Sequence, residues 1–312
     1  MVKISAIICT FKRPDFLRQA LRSLSNQTLA RNDYEIIVVD NAVQPEAEQV
    51  VREFQNEEIH LRYVTENEVG LSRARNKGLT EARGRYVAYL DDDARADERW
   101  LAALLESFAK SSPPAAAVGG RVWLDWQGRM PRWIPNDQLS LYSYVDHGEQ
   151  AHLLREDEYL VGANLAFDRE LLKEVGGFDS NLGRQGNVLL SGEEAQIVQA
   201  LRRKDFPIHY EPAAVVWHTV HRSRQHPSWL LKRMFWDGAS QPLLDRLATE
   251  KSRRVILRSV CSDLRQCAGW SMRAMSASIR GRKTTAWQSL LGLSQRAGRV
   301  RTQLLLIASI DD

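Results

Sequence analysis

Residues 85–93 read Arg-Tyr-Val-Ala-Tyr-Leu-Asp-Asp-Asp (RYVAYLDDD). After Arg85 the next five are β-branched, aromatic or apolar, a length and composition that suit a buried strand, and the run stops at three carboxylates. The same pattern recurs upstream. Lys3–Thr10 (KISAIICT), Glu35–Asp40 (EIIVVD) and His60–Thr65 read as three earlier strands, with Thr10 closing the first and Asp40 and Asn41 closing the second. Helical patterns alternate with them. Pro14 opens a helix to about Gln27 with Phe16, Leu17, Ala20, Leu21 and Leu24 on one face. Pro45–Glu53 forms a second, and Gly70 to about Ala82 a third. Alternation of this kind predicts a mostly parallel sheet covered by helices.

Downstream, Glu98–Lys110 is helical, with Trp100, Leu101, Leu104, Leu105 and Phe108 inward, and Ala115–Trp123 is a strand. Residues 124–158 hold Trp, Pro and Tyr without a period, as functional loops often do. Gly162–Phe167 (GANLAF) returns to strand, and Arg169–Val175 is a helix stopped by Gly176-Gly177. Ser191-Gly192-Glu193-Glu194 opens a helix to about Lys204, and His209–Tyr210 and Ala213–Trp217 read as two closing strands. Helical pattern then runs from Pro227 to Ile310.

Ligands of open α/β sheets sit outside the carboxyl ends of the strands. Here those ends carry Thr10, Asp40, Asn41 and Asp91-Asp92-Asp93. Three adjacent carboxylates repel one another unless a cation intervenes. A hard divalent ion takes such oxygen ligands and can also hold a diphosphate; the plainer reading of the triplet is a solvated acidic turn.

The chain has 312 residues, 44% of them hydrophobic, enough for a substantial core. Its net charge of +4 is uneven. Residues 1–221 hold 26 basic and 33 acidic side chains, whereas residues 222–312 hold 17 and 6. A boundary is therefore expected between a domain at 1–221 and a basic helical part at 222–312. The excess in the second part suits an anionic partner or a solvated face. Cys9, Cys261 and Cys267 match neither a disulfide framework nor a zinc pattern, which favours a reducing cytoplasm. The N-terminus lacks a signal-peptide layout, and no apolar run reaches the ~20 residues that cross a bilayer.

Six segments occur in order: VVDN ending at Asn41, VGLSRARNKGL at 69–79, YVAYLDDD at 86–93, GANLAF, GGFD, and SGEE before a helix. On these the chain resembles the family 2 glycosyltransferases of the GT-A fold, over roughly residues 1–220. The resemblance implies that Thr10 and Arg13 contact the nucleotide, that Asp40 reads the base, and that Arg73 contacts base or diphosphate. Asp91, Asp92 and Asp93 match the family's acidic triplet, with Asp92 facing ribose or diphosphate and Asp93 ligating a metal. A histidine after the last strand completes the metal site in many relatives, and His218 is the choice here, with His221 the alternative. The family's catalytic base falls at Glu193-Glu194, where Glu-Asp is usual. Glu194 takes the Asp position with one more methylene, and Glu193 is the second choice.

The activity implied is inverting transfer from a nucleoside-diphosphate sugar, UDP being the common base, to a glycan or lipid-linked saccharide, with Mn²⁺ or Mg²⁺ as cofactor. GDP and dTDP stay open. A nucleotidyltransferase is the chemical rival, but the loop after the first strand, CTFKRPD, has no glycine to wrap a triphosphate. A non-catalytic nucleotide- or glycan-binding module is the other rival. Asn164, Trp126, Trp133, Tyr142 and Tyr144 are candidates to line an acceptor site or simply to pack. The C-terminal helices, where apolar and basic residues interleave, are expected to lie on an anionic membrane surface, to pack on the catalytic domain, or to form a homodimer. No nucleic-acid reader motif is present. The expected place is the cytoplasm, peripheral to the inner face of the membrane.

Overall fold

The structure is a computed structural model that describes residues 1–55, 59–248 and 252–309. The chain divides into two compact units. The first comprises Met1–Gln127, Asn136–Asn181 and Glu193–Val220; the second comprises Gly128–Pro135, Leu182–Gly192 and His221–Asp312.

The first unit is built on one mixed sheet. Its strands are β1 (Ile4–Thr10), β2 (Tyr34–Asp40), β3 (Leu61–Thr65), β4 (Tyr86–Asp91), β5 (Ala94–Ala96), β6 (Ala117–Trp126), β7 (His152–Leu153), β8 (Leu165–Asp168) and β9 (Ile208–Val220). The spatial order is β3-β2-β1-β4-β8-β6-β9-β5, with β7 also paired to β9. β1 to β4 are parallel to one another, and β6 is parallel to β9. β8 runs antiparallel to β4 and β6, while β5 and β7 run antiparallel to β9. Parallel strands require crossovers, supplied by α1 (Pro14–Ser25), α2 (Pro45–Phe54) and α3 (Leu71–Glu81). The remaining helices are α4 (Trp100–Lys110), α5 (Arg169–Glu174) and α6 (Glu193–Arg202).

The two-residue period of the strands divides the core between the faces. Ile4, Ala6 and Ile8 pack with α1, α2 and α4 through Leu17, Leu21, Val50 and Trp100. Ile7, Ile37, Val39 and Tyr89 pack on the other face with Ala74 of α3 and Ile197 of α6.

One strand expectation changes, and the short strands β5 and β7 were not expected. The closing pair at 209–210 and 213–217 is a single thirteen-residue strand, β9. Pro212, which has no N–H to donate, falls where the β6–β9 register shifts between Gly120 and Arg121, so the strand bulges there rather than ending. β5 forms because Ala94 and Ala96 pair with His218 and Val216.

The second unit contains α7 (Pro227–Ala248), α8 (Arg253–Ile279) and α9 (Lys283–Ala308). α7 and α9 meet backbone to backbone: a Cβ on Gly238 would fall 1.8 Å from the Gln295 carbonyl, and one on Gly298 would fall 1.8 Å from the Phe235 carbonyl. α8 and α9 share a buried polar link, in which Arg296, Arg299 and Gln303 all donate to Asp263. Among the described residues no helix is long and apolar enough to cross a membrane.

Candidate functional site

The register of the sheet assembles the site. Thr10 pairs with Asp40, and Cys9 pairs with Asp91, so the ends of β1, β2 and β4 share one rim. Asp92 and Asp93 form the turn between β4 and β5. Because Ala94 pairs with His218 and the Asp93 carbonyl accepts from the Thr219 amide (2.8 Å), β9 delivers His218 to the acidic turn.

Asp91, Asp93 and His218 each offer a ligand atom within 4.8 Å of the others. His218 is 1% exposed, and neither ring nitrogen makes a hydrogen bond. Its Nε2 lies 3.2 Å from Asp93 Oδ1, close but without hydrogen-bond geometry. A buried imidazole left without hydrogen bonds beside two carboxylates is the donor set of a divalent cation such as Mn²⁺, so these residues fit one. The cluster that could hold a metal thus takes in Asp91 as well as the expected Asp93 and His218. His221, the alternative, is exposed and bonds its own Ser223 through Nδ1 (2.7 Å).

Asp92 is not part of that cluster. It accepts from Thr10 Oγ1 (3.0 Å) and Arg13 Nη1 (3.2 Å), and the same Arg13 nitrogen donates to Asp93 (2.9 Å). Burial, opposed by the Arg13 charge and assisted by that of Asp93, pushes the Asp92 carboxyl up to about 6. Arg13 immediately precedes α1, where Pro14 starts the helix. The Cys9 thiol is pushed up to about 12, chiefly by burial, and so stays neutral and unreactive.

Asp40 is fully buried and accepts from the Ala42 and Gln44 amides (both 2.9 Å) and from the Tyr63 hydroxyl (2.8 Å). It holds the loop after β2 in place. Arg73, in the first turn of α3, pairs with Glu68 at 2.6 Å and is more than a third exposed.

The residue that sequence reading missed is Arg75. It is 2% exposed, and its guanidinium pairs with Asp91 (3.3 Å), Glu193 (3.0 Å) and Glu194 (3.0 Å). Phe178, of the GGFD segment, stacks its ring 5.3 Å from the guanidinium carbon. Arg75 thus joins the acidic turn to the carboxylates that open α6. Glu194 Oε1 also accepts from the Gly162 amide (3.0 Å). Burial alone would raise the Glu194 carboxyl, but the Arg75 charge and these hydrogen bonds win and hold it below the ordinary glutamate range. Only glycine fits at 162, because a Cβ there would fall 2.0 Å from Arg75 Nη2 and 2.3 Å from Glu194 Oε1.

Asn164 is not an acceptor contact. It is wholly buried, takes the Trp100 indole N–H on Oδ1 (2.8 Å), and donates to the carbonyls of Arg121 and Ala214. Replacing Asn164 by Leu orphans one donor and two acceptors, each worth roughly 1–3 kcal/mol when left buried. The expected result is a melting temperature lower by several degrees with an unchanged acceptor KM. A raised KM at an unaltered melting temperature would return Asn164 to the acceptor site. Trp126 packs on the buried Tyr142 (5.3 Å) and Trp123 on Tyr144 (5.9 Å), while Trp133 belongs to the second unit and packs edge-on to Trp287 (5.5 Å).

An α/β sheet with this Asp-Asp-His rim and an ion-paired carboxylate at the start of a helix defines a glycosyltransferase of the GT-A fold. The chain belongs to glycosyl transferase family 2, whose sequence model matches residues 5–176. It is 29% identical to a glucosyl-dolichyl phosphate glucuronosyltransferase of Haloferax volcanii over 254 residues, 80% of each chain. It is also 29% identical to the succinoglycan biosynthesis protein ExoM of Rhizobium meliloti over 250 residues, 78% of this chain and 75% of that one. Among solved structures, the mannosyltransferase PcManGT from Pyrobaculum calidifontis, in complex with GDP-Man and Mn²⁺, superposes with a TM-score of 0.64 at 19% identity, covering 96% of this chain and 86% of that one. At that identity the likeness speaks for the fold.

Proposed function

We propose that the protein transfers a sugar, with inversion, from a nucleoside-diphosphate sugar to a lipid-linked or glycan acceptor. The observation that carries this reading is the Asp91–Asp93–His218 cluster lying on the same rim as Thr10, Arg13 and Asp92. The Haloferax relative acts, by its name, on a dolichyl-phosphate-linked sugar, which supports a lipid-linked acceptor here. UDP is the first base to test, with GDP and dTDP beside it.

Asp91, Asp93 and His218 would hold Mn²⁺ or Mg²⁺. Such an ion supplies positive charge against the departing diphosphate. Arg13 brings a guanidinium to the same place, where it can exchange a carboxylate for a phosphate oxygen. Thr10 and Arg13 orient Asp92 toward ribose or diphosphate, and Arg73 stands at the α3 N-terminus for base or diphosphate. Glu194 takes the proton of the acceptor hydroxyl as that oxygen attacks the anomeric carbon. Its side chain is 17% exposed against 4% for Glu193, so Glu194 is the one an acceptor can reach.

Thermal unfolding with UDP, GDP, dTDP and CMP, each with and without Mn²⁺, tests the donor site. A ligand at ~100 times its Kd stabilises by about 2.7 kcal/mol, a shift of several degrees. One nucleoside diphosphate should give that shift only with metal. Asp93→Ala should abolish the metal-dependent part while leaving the unliganded melting temperature within a few degrees. A metal-dependent shift that survives Asp93→Ala would place the ion elsewhere.

A further inference from the structure

α8 carries an uncovered apolar stripe. Leu257, Leu264, Met272, Met275 and Ile279 are 43%, 51%, 62%, 62% and 81% exposed, and Cys261 and Ala268 between them are exposed too. Their spacings are all three or four residues from Leu257 to Ile279, which keeps all seven on one side. The opposite pattern, Ile256, Val260, Asp263, Ala274 and Ala277, is the face that is buried. Exposed large side chains at helical spacing over six turns are more than the scatter of single apolar residues found on ordinary surfaces.

The charges beside the stripe select its occupant. Arg258, Arg265, Arg273 and Arg280 are exposed and fall, by the ~100° step of the helix, along one flank of the stripe. Between residues 252 and 309 there are 11 basic side chains and one acid, Asp263, which is buried in its links to Arg296 and Arg299. A second copy of this face would set arginine against arginine. A bilayer of anionic phospholipid meets both halves of the pattern, taking the apolar stripe at its acyl boundary and the guanidinium groups at its phosphates. Because no described helix is long and apolar enough to cross a membrane, the contact lies along the surface.

We propose that the exposed Leu257–Ile279 face of α8 seats the protein on an anionic phospholipid surface. This inference stands apart from the transfer reaction, because its test measures no catalysis. Full-length protein is sedimented with vesicles of phosphatidylcholine alone and with 30% phosphatidylglycerol, in 50 mM and 500 mM salt. Binding is expected only with phosphatidylglycerol, and to weaken at least tenfold at the higher salt. The triple variant Leu264→Gln, Met272→Gln, Met275→Gln alters exposed positions only and should melt as the parent does. It should lose at least tenfold in vesicle affinity. Arg258→Gln with Arg265→Gln should lose roughly fivefold per arginine removed. Failure of the parent to bind phosphatidylglycerol vesicles overturns the proposal, as does equal binding by the stripe variant. A dimer in light scattering that the stripe variant dissociates would show that a second copy covers this face instead.

Discussion

Glu194→Gln is expected to leave donor binding intact and to lower kcat by about 10²–10⁴, the range over which a positioned general base contributes. The substitution keeps the shape of the side chain and an oxygen for the Gly162 amide, so the local fold has little reason to change. It removes the lone-pair basicity that would take the acceptor proton. The pH profile gives a second handle. Glu194 is held below the ordinary glutamate range, where burial loses to the Arg75 charge and the Gly162 amide. A base with a depressed pKa is ionised at all higher pH, so the acid limb of kcat/KM should fall below about 4.3, the usual glutamate value. Its contribution to stability follows the same sign, present at neutral pH and lost as pH drops through the depressed pKa. Glu193→Gln should cost far less in kcat, since that side chain is nearly closed to solvent. Full transfer by the Glu194 variant would put the base elsewhere.

The sheet was readable because its strands carry their own signal. KISAIICT, EIIVVD and RYVAYL are continuous apolar runs, as strands buried on both faces must be, and they became β1, β2 and β4 within a residue or so at each end. The polar residues that stop them therefore landed on one rim. β5 was not readable: Ala94-Arg95-Ala96 has no strand preference, and it exists only because β9 pairs with it. That same pairing carries His218 to Asp93, a contact between residues 125 positions apart that spacing cannot predict. β9 was divided in two because Pro212 reads as a stop, whereas a bulge absorbed it.

Arg75 was missed for another reason. In GLSRARNKGL it stands two residues from Arg73, and the eye takes the pair as one basic patch. The helical period separates them. Arg75 lies three residues after Ser72 and four before Leu79, both buried, so it sits on the inward face of α3 while Arg73 points outward to Glu68. A charged residue on an inward helical stripe was the available signal, since a buried arginine must find anions. Which anions it found, 16, 118 and 119 residues further along the chain, only the fold could tell.

Arg75 should be the residue least tolerant of change. Removing one partner of a buried ion pair costs about 3–5 kcal/mol, because the charge left behind stays desolvated. Here Arg75→Met would leave three carboxylates, Asp91, Glu193 and Glu194, facing a methionine. Two effects are expected together. The melting temperature should fall at neutral pH by several degrees or more, and part of the loss should return as the pH is lowered. The sign follows from burial: without the guanidinium, desolvation governs Glu194 and lifts its carboxyl above the unfolded value. A raised folded pKa makes the folded state the better proton binder, so acid favours it. Transfer should also fail, since a protonated Glu194 cannot act as a base. Arg75→Lys separates the two roles. An ammonium group restores a positive charge, and most of the stability with it, but its point charge cannot hold three carboxylates in the planar arrangement of a guanidinium. The lysine variant should therefore melt near the parent while its kcat stays well below, with donor KM changed little. Equal kcat in the parent and the lysine variant would mean that only charge matters at this position, and that Glu194 finds its orientation from Gly162 and α6 alone.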